Sequence, residues 1–211
     1  MRRDAFNPPR TPATLPILVC DERRLSPSLG YVFNPKWVDP HESIVSILWK
    51  FAMMNALSGH VVATQVAKTT IDPYEGVEPK REAVDIRRLR QALGLQLKLL
   101  RAALIPSSLN RITSPYFRYC PKCLRRGYHG VLHQLEPLQL CPMHGSWLQT
   151  ECRHCHQPAL YRLNARLLDT PFRCVKCRLF YATGSPLSVN RRALPGRALV
   201  ALTRTRLRYA T

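Results

Sequence analysis

Cys120-Pro121-Lys122-Cys123, Cys141-Pro142-Met143-His144, Cys152-Arg153-His154-Cys155 and Cys174-Val175-Lys176-Cys177 are four pairs of soft ligands with two residues inside each pair. A two-residue gap lets a tight knuckle aim both side chains at one ion from one side. A second knuckle then closes a tetrahedron, the geometry zinc takes in closed structural sites. Thiolate and imidazole suit that ion. Seventeen residues separate the first pair from the second and eighteen the third from the fourth. Sequential pairing therefore predicts one site of Cys120, Cys123, Cys141 and His144 and another of Cys152, Cys155, Cys174 and Cys177. A cross-braced arrangement would join the first pair to the third. An iron–sulfur cluster is the alternative occupant. Seven of the eight cysteines are used this way, and Cys20 is left as an ordinary buried thiol.

The 211 residues carry a formal net charge of +19. Residues 118–211 hold sixteen Lys/Arg against Glu136, Glu151 and Asp169, so +13 lies on and after the cysteine-rich part. Such a balance points to a polyanionic partner, nucleic acid first among them. No apolar run reaches bilayer length, and the N-terminus lacks the apolar core of a signal peptide. The expected setting is intracellular, where paired cysteines stay reduced and read as metal ligands.

Around the metal region the chain divides into four parts. Residues 1–37 form a Pro-rich arm with one short strand over Leu15–Cys20. Residues 38–115 form a helical domain, 116–182 the tandem zinc fingers and 183–211 a basic tail, either a helix or a disordered arm. The fold class expected is mainly α, a helix-turn-helix-like N-terminal domain followed by two zinc fingers with small knuckle or ribbon β elements. Asp39-Pro40-His41-Glu42 reads as a capping box with proline at the first helical position. Ile44, Ile47, Leu48, Phe51 and Met54 follow at helical spacing, and Ser58-Gly59 reads as the stop. A second helix is expected over Val61–Lys68, and a loop over Ile71–Lys80. Two more helices follow, one through Leu89 and Leu93 to Gly94, the other through Leu97 and Leu104 to Pro106. With Arg87, Arg88 and Arg90 on its polar face, this pair is compatible with a helix-turn-helix. Two packed helices with solvated basic faces would read the same.

Nothing in the sequence points to an enzyme. Both ligand sets are complete, whereas a catalytic zinc keeps a position open for water. There is no phosphate-cradling glycine loop and no carboxylate set for magnesium. His129, His133, His154 and His156 read as surface, ligand-supporting or phosphate-facing groups.

Arg118-Tyr119-Cys120-Pro121-Lys122-Cys123-Leu124, Gly127-Tyr128-His129, His133-Gln134-Leu135, Leu140-Cys141-Pro142-Met143-His144-Gly145 and Cys152-Arg153-His154-Cys155 together resemble the TniQ/TnsD family of transposition proteins. Glu42-Ser43 in the first helix and Leu89-Arg90-Gln91-Ala92-Leu93-Gly94 agree with it, and the likeness covers roughly residues 15–182. The resemblance implies a non-catalytic targeting adaptor that links target DNA, or a guide RNA–protein complex, to an AAA+ ATPase. It implies a cytoplasmic, nucleoid-associated protein without membrane contact, for which a homodimer is an allowed assembly. Many relatives continue well beyond the fingers. Here only about thirty residues follow the last cysteine, which suggests a compact adaptor or a truncated copy. Arg87, Arg88, Arg118, Arg125, Arg126, Arg153, Arg173 and Arg178 are the expected nucleic-acid contacts. The competing readings are a DNA-binding transcriptional regulator and a pure protein-interaction zinc module.

Overall fold

The computed structural model describes residues 30–68, 72–183 and 193–210; the expected strand at 15–20 lies outside them. The chain is mainly helical. Among the described residues the β content is single bridges, with no longer ladder.

The centre is α1 (Ile44–Met54), whose residues 44–52 are all buried. A helix apolar on every side belongs inside a core. Its start differs from the expected one. Asp39 N–H does donate to the Glu42 carboxylate (2.9 Å), but no helix begins there, because His41 turns to φ 60°. Ser43 is the cap, its hydroxyl accepting from Ser46 N–H at 3.3 Å. The N–H groups of Ser43 and Ile44 are taken by the carbonyls of His129 (2.7 Å) and Ala103 (2.9 Å). Tertiary partners thus satisfy donors that a local box would have served. Within this entry turn Glu42 is buried against Lys50 and also accepts from the Ser46 hydroxyl (2.6 Å). Buried charges of this kind persist only when paired and hydrogen-bonded.

Ser58-Gly59 also departs from expectation: it opens α2 (Gly59–Val66), with Ser58 as cap. Gly59 lies against α6 (Ala165–Leu168). A Cβ there would stand 2.2 Å from Ala165 O, and the Gly59 N–H donates to the Asp169 carboxylate. The helix pair is present as α3 (Ile86–Leu93), capped by Asp85 on Arg87 and Arg88 N–H, and α4 (Leu97–Ala102). Gly94 makes the left-handed stop at φ 63°.

One core runs from Phe33 to Leu202 and crosses the 115/116 boundary without a break. Trp49 of α1 donates to Leu167 O at 2.7 Å. Its ring meets Phe117 (5.6 Å) and Phe172 (4.9 Å) from the cysteine-rich part. Phe117, Tyr119 and Tyr181 continue this aromatic stack. The described part of the tail is α7 (Gly196–Ala210), docked through buried Leu202. Arg206 donates to Ala102 O (3.1 Å) and to His41 Nδ1 (3.3 Å). Thr203 Oγ1 lies 3.2 Å from His41 Nε2.

Candidate metal centres

Cys120 caps the short helix α5 (Pro121–Arg125), with Pro121 at its first position and Cys123 inside it. Opposite, a hairpin bridged at Leu140 and Trp147 carries Cys141 and His144. The other quartet hangs on two similar hairpins, bridged at Glu151–Pro158 and Arg173–Phe180. These three knuckles share one backbone. The first cysteine N–H bonds to Ser146 O, Gln157 O or Leu179 O at 2.8, 3.1 and 2.9 Å. The fourth residue on is left-handed in each: Gly145 (φ 59°), His156 (φ 55°) and Arg178 (φ 62°).

The ligand atoms of each sequential quartet lie within 4.8 Å of one another, so the cross-braced arrangement is not the one adopted. With zinc–sulfur bonds of about 2.3 Å and zinc–nitrogen bonds of about 2.0 Å, tetrahedral edges are about 3.8 Å between sulfurs and about 3.5 Å between sulfur and nitrogen. In the first quartet the Cys123 and Cys141 sulfurs are 3.5 Å apart. His144 Nδ1 lies 3.5, 3.3 and 3.6 Å from Cys120, Cys123 and Cys141. In the second, Cys152–Cys177 and Cys155–Cys174 are 3.7 and 3.6 Å. These are the spacings of atoms arranged about a common ion. Electrostatics agree. Burial, then neighbouring sulfurs, push Cys123 well above the thiol range. Hydrogen bonds from Cys123 and Cys141 hold Cys120 far below it, and burial raises Cys174 to about 12. Four such groups can all be thiolate or neutral imidazole together only around a cation. Both quartets can hold a metal ion, and their all-soft donor sets are compatible with zinc.

Behind the first quartet stands His133, fully buried. Its Nδ1 accepts from Gly130 N–H (3.3 Å), which leaves Nε2 as the donor. Nε2 is 3.8 Å from the Cys123 sulfur and 3.7 Å from the Cys141 sulfur. Burial lowers His133 to about 4, so the ring is neutral. His129 is buried beside it and also held neutral by burial. It takes the Ser43 hydroxyl on Nδ1 (2.6 Å) and donates Nε2–H to Arg118 O (2.8 Å). Neither histidine is a surface or phosphate-facing group. His154 and His156 are exposed on the third knuckle. All four histidines lie close to ligand cysteines in the sequence, and which of them is buried depends on packing against distant residues such as Ser43.

The arginines divide. Arg87, Arg88, Arg125, Arg153, Arg173 and Arg178 are exposed. Arg173 lies 3.8 Å over the Phe180 ring. Arg118 is a correction: only 5% exposed, its guanidinium donates to Leu135 O and, at 2.8 Å, to Leu138 O. It fastens the loop between the two halves of the first site and faces no solvent. Arg126 is half-buried and paired with Asp39 at 3.7 Å. No helix among the described residues is long and apolar enough to cross a membrane.

The family model described as TniQ matches residues 37–148, more than half of the chain. The match takes in α1 to α5 and all of the first quartet, and it ends before Cys152. No curated protein matches the chain.

Proposed function

The chain belongs to the TniQ family, and from that premise we propose that it is a non-catalytic target-selection adaptor of a DNA transposition system. It links target DNA, or a guide complex, to an AAA+ transposition ATPase in the cytoplasm, close to the nucleoid. The family match carries this reading. Two zinc ions, one held by Cys120, Cys123, Cys141 and His144 and one by Cys152, Cys155, Cys174 and Cys177, supply structural cross-links. Four protein ligands per ion leave no position for a reacting water.

The chain's own residues then do the work of recognition. Arg125 on α5 and Arg153, Arg173 and Arg178 on the knuckles stand on a rigid support and present guanidinium groups to phosphates. Arg87 and Arg88 at the start of α3 extend the basic surface. Arg118 and Arg126 hold the support together.

The test is DNA binding as a function of salt, coupled to capture of the ATPase of the same element. Duplex affinity is expected to fall steeply with salt, and Arg125→Glu to weaken it and flatten the log–log slope by about one. The ATPase is expected to be retained on immobilised DNA only when the chain is present. Absence of DNA binding at low salt, together with absence of ATPase capture, would overturn the proposal.

A further inference from the structure

The last carbonyls of α4 are taken by two arginines. Arg81 donates its Nε–H to Arg101 O at 3.1 Å, and Arg206 of α7 reaches the next carbonyl, Ala102 O, also at 3.1 Å. Carbonyls of a last turn lack partners inside the helix and attract cations. Capping therefore accounts for one nitrogen of each guanidinium, and it leaves the others over. Arginine carries five N–H donors in a planar fork. Both terminal nitrogens of Arg81, and Nε with one terminal nitrogen of Arg206, have no acceptor among the described residues. Neither arginine forms an ion pair with a described carboxylate. Both are half-buried. Burial, then the Arg81 charge, lower Arg206 from the ordinary guanidinium range. Like charges drawn out of water side by side are relieved by an anion.

Both side chains line one cavity of about 190 Å³, beside the 3-10 turns Ser107–Ile112 and Val131–Gln134. Its remaining walls are mainly apolar: Leu104, Ile105, Leu109, Val131 and Leu135, with Tyr209 of α7. No acidic residue lines it. Glu82, next to Arg81 in the chain, is exposed and accepts from the Ser107 hydroxyl, where the Lys68 and Arg81 charges also reach it. Arg206 is fixed between Ala102 O and His41 Nδ1, so it loses little freedom on binding a ligand.

An occupant matched to these walls brings an anion and an apolar body together. Inorganic phosphate brings no apolar body. An apolar cavity of about 150 Å³ holds a benzene ring, whereas small-molecule sites start at about 300 Å³. The volume here suits one large side chain and is too small for a cofactor. The last residue of a polypeptide, when apolar, carries its side chain and its carboxylate on the same carbon. A planar carboxylate matches the guanidinium fork with paired hydrogen bonds, and capture of a chain end is a recurring mode of recognition.

We propose that this cavity seats the C-terminal residue of a partner polypeptide, with its apolar side chain among Leu109, Val131 and Leu135 and its carboxylate on Arg81 and Arg206. This rests on the adaptor reading only in expecting a protein partner, and it uses none of the nucleic-acid contacts.

The experiment follows the methyl resonances of Leu109, Val131 and Leu135 in the zinc-loaded full chain, up to millimolar ligand. The probe is a Gly/Ser octapeptide ending in leucine. With a free C-terminus it is expected to shift these methyls saturably. It should bind about tenfold more weakly when amidated, or when serine replaces the last leucine. That comparison needs no variant. Arg81→Gln, checked for zinc content and melting temperature, should weaken the free peptide about tenfold and leave the amidated one unchanged. Equal binding of free and amidated peptides, no shift at millimolar peptide, or equal losses of both forms in Arg81→Gln would overturn the inference. So would shifts with inorganic phosphate or isocaproate where the peptide gives none, which would make the cavity a site for small anions. If the peptide binds but the ATPase is not retained on DNA, this inference stands and the adaptor reading falls. If the ATPase is retained and no peptide binds, this inference alone falls.

Discussion

His133 touches two of the three sulfurs of the first quartet, Cys123 and Cys141. An N–H aimed at a thiolate withdraws charge from it and fixes its direction, and supporting partners of this kind typically change metal affinity about 10- to 100-fold when lost. His133→Phe is therefore expected to lower affinity at the first site by that factor and leave the second unchanged. Chelator competition would measure it, and the sulfur-to-metal absorption of the cobalt-substituted protein should shift in the same variant. His129 and His41 make a second residue-scale prediction. Burial holds both below their ordinary range, with the Arg206 charge adding to the effect at His41. A histidine lowered in the folded state binds more protons once unfolded, so stability falls as pH drops through about 6.5 and goes on falling to the folded value. Melting temperature is expected to decline from pH 7.5 to 5.5, less steeply in His41→Gln, with zinc content followed in parallel. The two cysteine-rich clusters that could hold a metal ion were legible in sequence, because a two-residue gap is a local constraint. The roles of His133 and Arg118 were not. Both depend on where distant backbone, at Gly130, Leu135 and Leu138, is brought by the fold.

At the scale of elements, the helices were legible and their ends were less so. The apolar spacing of α1 survives in the structure, yet its cap moves from Asp39 to Ser43, because His129 and Ala103 carbonyls take over the first N–H groups. Ser58-Gly59 is as good a start as a stop when read locally. What decides is α6, whose backbone crosses Gly59 too closely for any side chain. Gly59→Ala is expected to destabilise by about 1–3 kcal/mol, read as a drop in denaturation midpoint with unchanged slope. The tail was balanced between helix and arm, and its described part packs as α7. Leu202, wholly buried, is its anchor. Leu202→Ala is expected to cost about 2–5 kcal/mol, with hydrogen exchange accelerated first in α7 and at Val131–Gln134, against which it packs.

At the scale of the whole molecule, helices and metal knuckles share one core. Trp49 is the joint: its ring touches Phe117, just ahead of the first quartet, and Phe172, within the span of the second, and bonds to α6. Charge was legible as a total and a gradient, but not as a surface, since Arg118 and Arg126 are spent on the interior. The account rests centrally on two independent closed metal centres that hold this core together. Native mass spectrometry of the purified chain beside Cys152→Ser/Cys174→Ser tests it most directly. Two zinc ions are expected in the first protein and one in the second. A single ion in the unaltered chain, or loss of both from the double variant, would contradict it.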